Sequence, residues 1–391
     1  MHLITPARPL PNHEHLPIGV PYLVDTQLAT QLTEGGYLQH SEPFTDPRAN
    51  LPVTRAPRTT NREPKILILR AGGYGDLLFL TPSLAEIHRR YPALKITVAT
   101  HEHTREALHH PDLAHVHLID YPVPADDLTR YDIISSAERI TDPRMQHDAA
   151  TYFAHHLGLL PERSESSEAL AKEEFSLRPL YAVDPDDLAQ AWMAFPRHEP
   201  RARIGIQTES SVKNRTYPID LTAQLIEKLI KEDECDVFTF GYPDPGKKVE
   251  IPHFYPLQFM DPAPSLTQSA AVLSTMDAVI APDSALCHIA GALGIPTIAL
   301  YGPFHWRQRT SHSPSIKALQ GHAECAPCQW HLTNGQHYPP NMPCSRLVGP
   351  PGQQRQAGCK ALANIPPERI RKELWRHLQS SVNQVNEVNP V

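Results

Sequence analysis

The 391-residue sequence has no run of about 18 apolar residues, the length a membrane-spanning helix needs. It also lacks a charged start leading into an apolar stretch and a small-residue cleavage site, so no secretion signal is expected and a cytoplasmic protein fits best. Basic charge is short as well. Against 43 Asp and Glu there are 36 Lys and Arg, a net charge of −7, and no nucleic-acid partner is expected because neutralising phosphates needs a basic surface. Cysteine is sparse, six in the chain, which argues for reduced thiols or metal ligands over a disulfide framework. Periodic structure is scarce in residues 1–64, where recurrent proline breaks helices and most strands. That segment reads as an arm laid over the surface, with one or two short strands between Tyr22 and Tyr37 turning at Gly35 and Gly36.

What is present begins at Lys65. Residues 65–70 are dominated by Ile and Leu, the signature of a strand covered on both faces. Further strands are expected at 96–99, 116–119 and 132–135, with helices at 76–90, 104–109 and 142–160. A second alternating series runs through strands at 203–207, 236–240, 277–281 and 296–300 and helices at 221–231, 265–276 and 285–293. Alternation of strand and helix predicts parallel sheets with right-handed crossovers. A chain of this length exceeds what one core usually supports, so the reading is α/β, with two nucleotide-type domains facing one cleft. The expected boundaries are a proline-rich extension over 1–64, a first Rossmann-like domain over 65–180 and a second over 181–365. The second contains a cysteine-rich insertion at 321–360, and a C-terminal helix and tail occupy 366–391. Past Pro303 the chain loses regularity until that final helix, which carries proline in its first turn.

Three turns carry the candidate chemistry. The first, AGGYGD over 71–76, follows a strand and opens a helix. Its glycines, Gly73 and Gly75 among them, let backbone approach a ligand, and the helix N-terminus offers free N–H groups. It is not the dinucleotide fingerprint, because the G-x-G-x-x-G spacing is missing. Asp76 suits either a helix cap or a proton acceptor at the mouth of the sheet. The second turn sets Asp283 and Ser284 between strand and helix, where Ser284 can cap a helix whose first residue is Ala285, making an anion site suited to a diphosphate. His288, one turn in, is a packed core histidine or a ligand to the same group. The third, QTESSVKNRTYP over 207–218, holds Gln207, Lys213 and Arg215 and is either a solvated basic loop or a phosphate-neutralising one. Gly241, ending the strand at 236–240, completes the candidate donor-binding set.

In this order, the turns resemble glycosyltransferase family nine, the heptosyltransferases. The resemblance spans roughly 65–369. It rests on Gly75-Asp76 and on the long string from Pro282 to Pro303, PDSALCHIAGALGIPTIALYGP. It implies the GT-B fold and an inverting transfer of a heptose-like sugar, from ADP-heptose or a similar nucleoside-diphosphate donor, to a hydroxyl of a glycan or protein. The chemistry needs no cofactor. Asp76 becomes the general base, Asp283, Ser284 and His288 lie near the diphosphate, and Arg215 takes the place of the family's phosphate-binding lysine. Two departures from the family string, Ala285 for a common glycine and Pro282 for a polar residue, leave room for a different donor sugar. Alternatives on the same fold are a non-catalytic binding or assembly protein and a sugar-nucleotide epimerase. The protein is expected to act in the cytosol or at the inner membrane surface, with an oligomer compatible.

Cys325, Cys328, Cys344 and Cys359 stand in C-x2-C-x15-C-x14-C spacing in a loop-rich stretch. Tetrahedral thiolate coordination of zinc or iron suits that pattern, with four reduced thiols on a long loop as the alternative. Cysteines here are also common in the family, and some protein-modifying heptosyltransferases that resemble this chain hold iron in this region. Neighbouring His305, His312, His322, His331 and His337 offer substitute ligands. Cys235 and Cys287 read as small buried hydrophobes.

Overall fold

The computed structural model describes residues 2–7, 22–24, 26–43, 63–137, 148–160, 176–197, 200–207, 209–210, 213–241, 252–257, 264–327, 344, 347–348, 355–356 and 358–388. Two compact units emerge: Met1–Thr141 with Ala149–Leu177, and Asp142–Asp148 with Arg178–Val391.

In the first unit the elements run β1 (His2–Pro6), β2 (Tyr22–Val24), α1 (Thr26–Glu34), β3 (Leu38–Pro43), β4 (Lys65–Leu69), α2 (Tyr74–Arg90), β5 (Lys95–Thr100), β6 (His117–Asp120), β7 (Val123–Pro124), β8 (Ile133–Ser136) and α3 (Ala149–His156). Between Tyr22 and Tyr37 one short strand, β2, and the turn at Gly35 and Gly36 form as expected, but a helix, α1, stands between them. Ala29 and Leu32, one turn apart, bury a common face, and Gly36 at φ 67° then swings the chain back into β3. The described residues of this N-terminal part, 2–7, 22–24 and 26–43, are completed by the later chain. β1 pairs antiparallel with β2 and β3, and β2 takes its outer partner from β7, giving the order β3-β1-β2-β7. Ile4, Tyr22, Val24, Ala29 and Leu32 share their core with Tyr121, and Ala71 packs on it.

The central sheet of this unit is parallel, in the order β6-β5-β4-β8. Ile66 to Leu69 of β4 are fully buried, as the apolar run requires of a strand covered on both faces. β4 is first in sequence, β5 and β6 extend the sheet to one side, and β8 returns to the other. The strand order therefore reverses between β4 and β8.

The second unit comprises α4 (Pro185–Ala194), β9 (Arg203–Gln207), α5 (Ile219–Lys231), β10 (Asp236–Phe240), β11 (Phe254–Pro256), α6 (Leu266–Leu273), β12 (Ala278–Pro282), α7 (Ala285–Leu293), β13 (Thr297–Tyr301), β14 (Ile316–Gln320), the short antiparallel pair β15 (Leu347–Val348) and β16 (Arg355–Gln356), and α8 (Pro367–Val388). Its six-stranded sheet is parallel throughout, ordered β11-β10-β9-β12-β13-β14, and reverses between β9 and β12. β14 breaks the expectation of irregular chain after Pro303. It is a short edge strand with Ile316 and Leu319 buried and Lys317 exposed, and lies among residues with no second periodic element to mark it. α7 ends on Gly294 at φ 79°, the left-handed conformation that closes helices. Among the described residues no helix is long and apolar enough to cross a membrane.

Candidate functional site

Ligands of open parallel sheets bind outside the carboxyl ends of the strands where the strand order reverses. In the second unit that position lies between Gln207, ending β9, and Pro282, ending β12. Asp283 follows at once and is 3% exposed. His288 Nε2 stands 3.0 Å from one carboxylate oxygen, and Arg215 Nη1 is 3.4 Å and Arg309 Nε 4.0 Å from the other. Burial pushes the carboxyl up, but the His288 hydrogen bond and the guanidinium charges of Arg309 and Arg215 outweigh it and hold Asp283 well below the usual carboxylate range. Arg215 Nη1 also donates to the Asp283 carbonyl, at 3.3 Å, as does the Ser210 hydroxyl. Both guanidiniums lie over the Phe304 ring, Arg309 at 4.8 Å and Arg215 at 5.8 Å from its centroid, so one aromatic ring borders two cations.

Ser284 caps α7, its hydroxyl accepting from the Cys287 N–H at 3.4 Å and lying 3.5 Å from Gln207 Oε1. Lys213 and Arg215 share a one-turn 3-10 helix after β9. Tyr217, two residues on, anchors that loop. Its buried hydroxyl donates to the Ile365 carbonyl at 2.5 Å, and burial pushes its pKa above the ordinary phenol range. The geometry thus joins Gln207, Arg215, Asp283, Ser284, Ala285 and His288 around one strand reversal. Gly241 ends β10, one strand farther out, at φ 117°. His288 is itself 3% exposed and faces Asp283, so it supports the carboxylate from behind.

In the first unit the reversal between β4 and β8 is occupied by the glycine turn. Asp76 sits in the first turn of α2, after the Gly73 N-cap. Its Oδ2 is 2.6 Å from Nη2 of Arg70, the residue that follows β4. Gly73 and Gly75 stand here with Asp76, in the first unit, and the other donor-binding candidates stand in the second. Tyr74 meets the His103 ring edge-on at 6.3 Å, and His103 stacks on His101 at 5.5 Å, so aromatic and imidazole faces border this turn.

Arg309 and Arg70 were not among the residues picked out from the sequence. Arg309 lies in a one-turn helix, Arg307–Thr310, after β13, in sequence where no pattern marks it. Arg70 immediately precedes the motif and was read as the end of a strand. Of the four cysteines, Cys328 lies outside the described residues. Burial pushes the Cys359 thiol up, against hydrogen bonds from the Leu362 and Ala361 backbone that lower it, and the charges of Cys325 and Cys344 add a smaller push upward. Among the described residues no three side chains form a metal-holding group. Cys359 abuts the end of β13: a Cβ added at Gly302 would lie 2.8 Å from its sulfur.

Residues 151–338 match the model of glycosyltransferase family 9 (heptosyltransferase), bearing out the resemblance carried by the string at 282–303. No curated protein matches the chain. Among solved structures, the chain is similar to ADP-heptose lipopolysaccharide heptosyltransferase II of E. coli (20% identity, TM-score 0.50, covering 81% of this chain and 99% of that one). It is also similar to a family 9 glycosyltransferase of Veillonella parvula (15% identity, TM-score 0.55, 82% and 98% covered). A third is TibC of enterotoxigenic E. coli, an iron-containing dodecameric glycosyltransferase (12% identity, TM-score 0.52, 82% and 77% covered). At these identities the likeness establishes the fold: two α/β units of the GT-B type. The turn bearing Asp76 precedes the family match and falls within the fold alone.

Proposed function

We propose that the protein is an inverting glycosyltransferase that moves a heptose-like sugar from a nucleoside diphosphate, ADP-heptose being the favoured donor, to a hydroxyl of a glycan or protein. The observation that carries this reading is the meeting of two arginines, both paired to Asp283 and lying over Phe304, with a serine-capped helix N-terminus at the strand reversal of the second unit. A diphosphate leaving group gathers negative charge as its bond to the anomeric carbon breaks. Arg215, Arg309 and the N–H groups opening α7 are fixed donors for that charge, so they need no reorganisation during the reaction. Asp283 holds the arginines in place.

In one in-line displacement the acceptor oxygen forms its bond to the anomeric carbon from the face opposite the departing diphosphate, inverting that centre. Asp76 takes the hydroxyl proton and the diphosphate leaves with the bonding pair. Thermal shift against nucleoside diphosphates and their sugars is expected to show stabilisation by ADP over UDP and GDP. Release of ADP from ADP-heptose would then be followed with a panel of core oligosaccharides, alkyl glycosides and serine- or threonine-bearing peptides. Asp76→Asn is expected to abolish transfer while calorimetric ADP affinity survives. Full turnover by this variant would remove Asp76 from the chemistry, and nucleotide release without any acceptor would favour the epimerase reading.

Cys325, Cys328, Cys344 and Cys359 are proposed to hold a structural zinc or iron. The C-x2-C-x15-C-x14-C spacing supports a thiolate set, because a cation would offset the desolvation and mutual repulsion of clustered thiolates. The metal would order the segment and take no part in the transfer. Elemental analysis of purified protein is expected to give about one metal per chain; a small fraction of that would discard the site.

A further inference from the structure

The turn that carries Asp76 contains a second charged group. Arg70 is 5% exposed, and both of its ends are held. Its backbone N–H donates to the Ala99 carbonyl of β5 at 3.0 Å. At the other end Nη1 donates to the Ala137 carbonyl at 3.2 Å, and the guanidinium lies 6.0 Å from the centroid of the Phe153 ring on α3. The Ala137 carbonyl is in turn placed by the sheet, since the Ala137 N–H donates to Leu69 at 3.0 Å. α3 is tied to β8 by Ser135 Oγ and His156 Nε2, 3.2 Å apart. The guanidinium therefore spans the strand reversal from β4 to the end of β8 before it reaches Asp76 Oδ2 at 2.6 Å.

The glycines of the turn divide accordingly. A Cβ at Gly73 would meet nothing within 4 Å, as expected of backbone left open to a ligand. A Cβ at Gly72 would fall 2.4 Å from Arg70 Nη2 and 2.5 Å from Cζ, so the guanidinium would have to shift to make room for it. Glycine at 72 thus leaves the guanidinium its place, whereas Gly73 is open to approach.

We infer that Arg70 is a positioning residue for Asp76: its guanidinium, fixed by β8 and α3, holds the carboxylate in the single orientation from which it accepts the acceptor's proton. The inference rests on the reading of Asp76 as the base. A carboxylate at the first turn of a helix has several rotamers open to it, and proton transfer is efficient from only one. The Arg70 fork selects that rotamer because its own position is fixed at three points. Lysine would bring the charge and donors on a single nitrogen, without the planar fork that reaches Asp76 and Ala137 from separate nitrogens.

The test follows ADP release from ADP-heptose, using whichever acceptor of the panel gives turnover, beside ADP calorimetry and thermal melts. Arg70→Met is expected to lower kcat about 10- to 100-fold, the range for a misplaced catalytic group, with ADP affinity unchanged. Arg70→Lys falls between it and the wild type, and millimolar guanidinium restores part of the Met variant's kcat but does not raise that of the wild type. Gly72→Ala deletes no functional group and displaces the guanidinium. It is expected to lower kcat likewise, so the inference stays testable even if Arg70→Met misfolds. Arg70→Met combined with Asp76→Asn is no slower than Asp76→Asn alone. Retention of kcat within about twofold by Arg70→Met, or losses in both variants without guanidinium rescue and with equal loss of ADP affinity, overturns the inference. If Asp76→Asn is inactive while Arg70→Met turns over fully, the inference alone fails. Full turnover by Asp76→Asn, or no turnover with any acceptor, removes the base reading and the inference with it.

Discussion

Asp283 illustrates how a charged side chain is kept in a place that disfavours charge. Its burial works against ionisation, and His288, Arg309 and Arg215 reverse that preference. Because the folded-state value is depressed, the carboxylate contributes stability at every pH above its unfolded value, about 4, and loses that contribution as pH falls below it toward the folded value. Asp283→Asn leaves a buried arginine without its counter-charge and is expected to cost about 3–5 kcal/mol at neutral pH. In melts recorded across pH, the gap between wild type and variant should close as acid is added below about pH 4. A gap independent of pH would show that the carboxylate's charge is not what stabilises the fold. The same residue explains what was legible at this scale. Asp283 and Ser284 stand in a long, specific string, whereas Arg309 reaches the site from a segment without pattern and is found only once the chain is folded.

At the scale of elements, the two βα turns were legible because a buried strand, a small-residue turn and a helix N-terminus leave a joint signature in composition and period. β14 and α1 were not. β14 is a five-residue edge strand whose flanking Ser313-Pro314-Ser315 and Gly321 read equally well as loop, and α1 shows its apolar face only when a sheet is present to cover it. The loop carrying Lys213 and Arg215 also depends on a distant element. Its Tyr217 hydroxyl ends on the Ile365 carbonyl, just before α8, so the position of Arg215 is fixed by chain 148 residues away from Tyr217. Tyr217→Phe leaves that buried carbonyl unsatisfied and is expected to cost about 1–3 kcal/mol in denaturant melts. ADP affinity should weaken in step with the loosened loop. Unchanged affinity at reduced stability would mean that Arg309 and α7 hold the anion without Arg215.

For the molecule as a whole, α/β alternation and chain length were enough to anticipate two parallel-sheet units, because strand-helix periodicity survives in sequence even when individual boundaries shift by a residue or two. Strand order is a property of pairing across long separations, and no local pattern encodes the reversals at β4–β8 and β9–β12 that set both candidate sites. The N-terminal sheet was obscured for a related reason, since its fourth strand, Val123–Pro124, comes from about a hundred residues later in the chain. That borrowed strand has a thermodynamic consequence. Tyr121 lies in the core of the N-terminal sheet and also meets the His101 ring edge-on at 5.4 Å, at the end of β5. β1 to β3 and α1 are therefore expected to melt with this unit and not as an appendage with a transition of its own. Their unfolding withdraws support from the end of β5 and from Ala71, and heat is absorbed for the sheet and the glycine turn in one cooperative event.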